Sequence, residues 1–163
     1  ILAAHAGDGP VAMPVSSTAP VEIDPPTSVF SASSRSSSTP TIRRAETVVV
    51  HLLTSHEVDL AKLGARSGID RFGPDVEWAR LSTGEPYYPG AGTWLRGRIV
   101  ERVEVHGSTL VIVEAIEAGP VADAAASDPR PLVYHNRNWF VLGEKSMLPA
   151  TTVPLFTVYG RDE

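Results

Sequence analysis

The chain predicts a mainly β fold, a closed or partly closed barrel of six strands with one or two short helices. Three observations carry this reading. Apolar stretches punctuated by Gly, Pro and Asp turn signals dominate the 163 residues. "TVVVHLL" (47–53) is β-branched and nearly continuous, as suits a strand covered on both faces. "TWLRGRIVERVEV" alternates Leu95, Ile99, Val103 and Val105 with Arg96, Arg98, Arg102 and Glu104, a strand with one wet face.

The elements follow in order. "ILAAHA" reads as a strand entered partway, as if something preceded it, and "GDG" at 7–9 turns it into "PVAMPVSST". Pro14 breaks that second strand and makes it an edge. Asp24-Pro25-Pro26 stiffens the loop before "TSVFSAS", the third strand. Thr54 and Glu57 have capping-box spacing, which starts a helix with Val58, Leu60, Ala61 and Leu63 on its inner face. Gly64 is placed to end it. A loop-rich stretch follows, with a short helical turn near Trp78. His106-Gly107 turns the alternating strand into "STLVIVEAIEAG", "PVADAAASDPRP" is a surface loop, and "LVYHNRNWFVLG" is a final strand pair. Residues 1–143 form the domain, and 144–163 read as a tail that packs on a neighbouring subunit through Leu148, Val153, Leu155 and Phe156.

Composition excludes several function classes. Cysteine is absent, which removes disulfides, thiolate catalysis and Cys-based metal sites. The five histidines have no metal-ligand spacing. A net charge of −5 argues against a general nucleic-acid binder. No apolar run has the length of a membrane span, so the expectation is a cytoplasmic protein. Arg96, Arg98 and Arg102 form a cationic stripe that could attract a dinucleotide, or serve as a solvated face or dimer seam. Trp78, Trp94 and Trp139 read equally as core, interface or ring-stacking residues.

"FSASSRSSSTPTIRR" (30–44) is the stretch that composition alone explains badly. Its six serines and two threonines look like a flexible linker, yet it lies between two strong strands of one small domain. Hydroxyls and backbone N–H groups in a tight turn can cradle a phosphate, with Arg35, Arg43 and Arg44 adding charge. In isolation the same run reads as a solvated turn. Ser16-Ser17-Thr18 ends another strand, and the two clusters can converge on one ligand.

At these residues the chain resembles a family. "GPVAMPVSSTAPVEIDPPTSVFSASSRSSSTPTIRR", "DLAKLGARSGIDRFG" and "PLVYHNRNWF" are similar to the motifs of the flavin reductase family of the FMN-binding split barrel, in matching order over about residues 1–143. The resemblance implies a six-stranded split β-barrel that works as a homodimer. It implies an enzyme that binds FMN, with FAD less favoured, and oxidises NADH or NADPH. Reduced flavin would pass to a separate monooxygenase. A flavin-binding barrel with an oxidase or non-catalytic role is the alternative, and a structural barrel would leave the hydroxyl clusters unexplained.

Residue by residue, the resemblance places Pro14, Val15, Ser16 and Ser17 along the isoalloxazine. Ser31, Ala32 and Ser33 would face the flavin, and Ser36, Ser37, Ser38 and Thr39 would cradle the phosphate. Asp70, Arg71 and Phe72 would lie near the nicotinamide or phosphate. His135 would stand where the nicotinamide docks, and is the candidate for an active role; alone it reads as a wall residue. His51 replaces an Asn common in the family and joins the implied cofactor set, although by itself it reads as a hydrogen-bonded core residue. Thr18-Ala19 replaces an aromatic. Hydride transfer asks little of protein side chains, because the cofactors carry the chemistry.

Overall fold

One antiparallel sheet builds the domain. A computed structural model describes residues 1–15, 18–119 and 130–147. β1 (Leu2–His5) turns back on β2 (Pro10–Met13) through Gly7 and Gly9, whose φ values of 93° and 105° need residues without a Cβ. β3 (Thr18–Glu22) and β4 (Thr27–Ser33) form the next hairpin, and α1 (Thr39–Arg44) leads into β5 (Thr47–Leu52). A 3-10 turn, Ser55–Glu57, opens α2 (Val58–Ala65). The small hairpin β6 (Ala79–Arg80) and β7 (Pro86–Tyr87) precedes the long pair β8 (Thr93–Val105) and β9 (Ser108–Ala118). β10 (Leu132–His135) and β11 (Asn138–Val141) close the described chain as a separate hairpin.

The main sheet has seven strands in the order β2-β1-β5-β8-β9-β4-β3, which corrects the expected six. It rolls on itself. Met13 of β2, at one edge, packs in the same buried cluster as Phe30 of β4, next to the other edge, with Leu2, Val48, Ile99 and Val111 between them. Such a cluster forms only if the sheet curls around an apolar interior. Gly97 sits at a bulge in β8, where an added Cβ would lie 2.1 Å from Val113 Cγ1; only glycine lets the two strands close there.

The serine-rich stretch neither links domains nor stays irregular. After β4 it makes a tight turn and then α1, a helix the composition concealed. Pro40 stands at the start of α1 and Arg43-Arg44 occupy its last turn, the favoured places for both residue types. Ser38 Oγ donates to Ala12 O on β2 at 2.8 Å, and Thr39 Oγ1 donates to Ser33 O on β4 at 2.6 Å. Ile42 enters the core, fully buried. The stretch therefore bridges β2 and β4 across the split in the barrel.

Other expectations change in detail. The capping box forms as read: Glu57 Oε2 accepts from Thr54 N at 2.6 Å, and Thr54 Oγ1 accepts from His56 N at 3.3 Å. Gly64 does not end the helix; it lies inside α2, where a Cβ would meet Ile1 Cδ1 at 2.9 Å. Close packing is its reason, not termination. The segment near Trp78 has no helical turn and feeds the β6–β7 hairpin instead. Bulges at Arg96/Gly97 and Ile99/Glu101 break the strict alternation of β8, so Val103 and Val105 are exposed at 43% each, away from the core. They also dissolve the cationic stripe. Arg96 pairs with buried Glu85 at 2.7 Å, Arg98 with Glu114 at 2.9 Å, and Arg102 donates to Ala45 O.

Candidate functional site

A cavity of about 820 Å³ opens beside the ends of β2 and β5. Pro14 and Val15 line one side, directly after β2 stops. Val50 through Thr54 form another wall, where β5 runs out into the capped 3-10 turn. His56, Glu57, Ala61 and Ala65 cover one flank, and Gly92 and Thr93 the start of β8. Tyr134 and Trp139 of the β10–β11 hairpin complete the enclosure; they are cross-strand partners with ring centroids 4.6 Å apart. The hairpin is tied to the body by Leu132 N donating to Leu53 O at 3.2 Å. The volume and the mostly apolar lining suit a flat, drug-sized molecule with a few polar edges.

His51 lines this cavity yet is only 2% exposed. Its Nε2 accepts from Tyr88 N at 3.1 Å, which requires the lone pair and so a neutral ring, and Nδ1 lies 3.2 Å from Ile1 O, to which it donates. Burial lowers its pKa to about 4.

A second, smaller depression of about 280 Å³ is lined by Ser34, Thr39, Pro40, Arg43 and Arg44. Its two guanidinium groups are steadied by carboxylates: Arg43 meets Glu104 at 2.8 Å, and Arg44 pairs with Asp8, which also accepts from Thr41 Oγ1 at 3.2 Å. Cationic forks beside hydroxyls and turn amides are a donor set for a phosphate.

The structure brings some of the predicted site residues together and separates others. Pro14, Val15 and His51 share the large cavity, and Thr39 lines the groove. Ser16 and Ser17 lie outside the described residues. Strand alternation splits the β4 trio: Ala32 is buried in the core, whereas Ser31 is exposed and half-buried Ser33 has its Oγ bonded by Arg35 N at 3.3 Å. Among the cradle hydroxyls, those of Ser38 and Thr39 already donate to backbone carbonyls, Ser36 Oγ accepts from Ser38 N at 3.3 Å, and Ser37 is exposed.

Arg71 and Phe72 line neither cavity. Arg71 caps the carbonyl end of α2, donating to Gly64 O at 3.1 Å and Arg66 O at 2.5 Å. Phe72 is held by its amide on Asp70 Oδ1 at 2.8 Å and stacks on Tyr88 at 5.4 Å in a second core with Ile1, Ala3, Ala12 and Ala91. His135 is exposed at the tip of β10, one residue beyond Tyr134 and so on the opposite face of the hairpin from it. The sequence reading did not single out Leu53, Thr54 or Tyr134 for this wall, and it left Trp139 open between core, interface and ring stacking. The signal was available in the end of a strong strand at Thr54 and in the aromatic pair flanking "HNRN".

Comparison with known proteins identifies the family and the fold. The model of the flavin reductase like domain matches residues 1–143. An NADH:FMN oxidoreductase of Rhodococcus qingshengii is 34% identical over 142 residues, covering 86% of this chain and 72% of the relative. The crystal structure of a flavin reductase domain protein from Arthrobacter is 26% identical, with a TM-score of 0.78 over 87% of this chain and 85% of that one. Nitrilotriacetate monooxygenase component B from Mycobacterium thermoresistibile has the same fold, with a TM-score of 0.79, 18% identity, and coverage of 94% and 84%. A family match over nearly the whole described domain, on the split-barrel architecture, leaves one conclusion: the chain belongs to the flavin reductase like domain family.

Proposed function

We propose that the protein is an NADH-dependent flavin reductase that binds FMN and delivers reduced flavin to a monooxygenase component. One observation carries the reading: a roomy, largely apolar cavity stands in a barrel that also carries a groove of hydroxyls and paired arginines. The first fits a tricyclic ring and the second a phosphate. The flavin, when bound, supplies the hydride acceptor. The chain's part is to place it: Pro14, Val15 and Thr18 bound the ring, and Arg43, Arg44 and the Ser36-Ser37 turn hold the phosphate. FMN and NADH are favoured because the Rhodococcus relative is named for them. The monooxygenase partner is supported by the shared fold of component B. Steady-state loss of NADH absorbance with FMN, FAD or riboflavin tests the whole reading. Turnover that ignores added flavin would end it.

The groove makes its own prediction. Replacing Arg43 and Arg44 with Ala should weaken FMN by about 1.5–3 kcal/mol per lost charged bond while leaving riboflavin nearly unchanged. Ser38→Ala and Thr39→Ala behave differently, because their hydroxyls brace the barrel; each lowers stability by about 1 kcal/mol and affects both flavins alike. Fluorescence titration with the two flavins decides it. Equal losses for both flavins in the arginine variant would remove the phosphate from this groove.

His135 is proposed to dock the nicotinamide because the family resemblance places a histidine there; its side chain is exposed, on the face of the hairpin opposite the cavity-lining Tyr134. His135→Ala should slow single-turnover hydride transfer. Melting should shift little, as an exposed side chain contributes within about 0.5 kcal/mol. Wild-type transfer in that variant strikes His135 from the active set.

The functional unit is proposed to be a two-fold dimer. Phe140, Val141 and Leu142 on the closing hairpin are 47%, 39% and 44% exposed, and Val100 and Ile116 of the long strands 46% and 42%. These exposed apolar side chains are the surface we propose a second subunit covers. The tail residues first expected to cover a neighbour, Leu148, Val153, Leu155 and Phe156, lie outside the described residues. A monomer by light scattering at micromolar concentration would refute the dimer. No helix among the described residues is long and apolar enough to cross a membrane.

A further inference from the structure

The geometry points to His51 as a positioning residue: its Nε2 holds the Tyr88 amide and so fixes the cavity wall formed by the segment that runs from Tyr88 into Gly92 and Thr93. This rests on the reading of the cavity as a flavin site. His51 has no polar atom to offer a ligand, because both ring nitrogens are committed to backbone groups, Ile1 O at 3.2 Å and Tyr88 N at 3.1 Å. His51 lines the cavity with no ring nitrogen left unbonded. The main chain of His51 is fixed independently, donating to Ile1 O at 2.7 Å and standing opposite Trp94 in the β5–β8 register. The ring is therefore a strut of set length between a rigid strand and residues 88–92, which join β7 to β8 without strand pairing, up to Thr93, where pairing with Leu52 begins.

The far end of the strut is also anchored. Tyr88 is 2% exposed, its hydroxyl donates to Arg71 O at 3.1 Å, and its ring stacks on Phe72. Phe72 meets Trp78 edge-on at 5.1 Å, and Arg71 clamps the end of α2. The Asp70-Arg71-Phe72 motif thus reaches the cavity through Tyr88 and His51, with no side chain of its own lining it. Three features that looked separate in sequence form one support.

Two amide substitutions separate the two ring bonds, because the Asn amide matches the position of Nδ1 and the longer Gln amide that of Nε2. His51→Asn keeps the bond to Ile1 O and loses the one to Tyr88 N; His51→Gln keeps an acceptor for Tyr88 N. FMN affinity by fluorescence titration, at a temperature where each variant is fully folded, should weaken about tenfold in His51→Asn, and His51→Gln should recover most of it. Amide exchange at Tyr88 reads the strut without any flavin: it should be protected in wild type and His51→Gln and fast in His51→Asn. A purely structural histidine would move melting in both variants and FMN affinity in neither. Equal FMN affinity in the two variants, or Tyr88 protection retained in His51→Asn, overturns the proposal alone. Wild-type protein that protects Tyr88 but binds no FMN overturns the flavin reading of the cavity, and the positioning role with it.

Discussion

Replacing Glu85 with Ala should destabilise the protein by about 3–5 kcal/mol, the cost of stranding a buried charge. Glu85 is 5% exposed between β6 and β7. Its Oε1 accepts from Thr47 Oγ1 at 2.6 Å and Arg96 Nε at 2.7 Å, and its Oε2 accepts from Thr83 Oγ1. Burial pushes the carboxyl pKa up, yet the bonds from Thr47, Thr83 and Arg96 hold it down at about 2. Without the carboxylate, Arg96, its side chain 17% exposed, keeps among the described residues only the ion pair with Glu117 at 3.9 Å. The double change Glu85→Leu/Arg96→Met should recover much of the loss, since an apolar pair can replace a buried ion pair at little cost. Urea unfolding of the two variants measures both terms. A loss below about 1 kcal/mol in the single variant would show the network to be solvated.

Glu85 also shows where reading the sequence stops. Thr83 is a near neighbour, but Thr47 and Arg96 stand 38 and 11 residues away, and no local pattern joins them to it. The same is true of His51, whose ring bonds reach 50 residues back and 37 forward. By contrast, the capping box at Thr54, the hairpin at Gly7–Gly9 and the turn at His106 were legible because their partners lie within a few residues. Helix α1 falls between these cases. Pro40 and Arg43-Arg44 carried its signal, but the serines preceding it have low helix preference and hid it. Gly64 misled for a related reason: glycine after a helical pattern usually ends it, and only the approach of Ile1 explains a glycine inside. The motifs led to Pro14, Val15 and His51, which line one cavity, and to Thr39, which lines the smaller groove. They did not show that Phe72 supports the wall from behind.

Acid should weaken the fold in a window that His51 sets. In the folded chain its pKa is about 4, against an ordinary 6.5 when unfolded. Between these values the unfolded chain binds a proton that the native ring, with Nε2 occupied by the Tyr88 amide, refuses. The unfolded state holds more protons there, so stability is fully present above 6.5 and falls as pH drops through 4, by about 1.4 kcal/mol per pH unit and about 3 kcal/mol in all. Glu85 acts lower. Its depressed carboxyl contributes stability that is complete above 4.5 and is lost toward 2, so only the range from 6.5 to 4.5 is free of it. Urea midpoints at half-unit intervals across that upper range should slope in wild type. In His51→Gln, which titrates nowhere in the window, the slope should drop by that amount, while the Glu85 fall below pH 4.5 remains. An unchanged upper slope in His51→Gln would mean that the ring exchanges protons freely with water, and the strut to Tyr88 could not then hold it neutral.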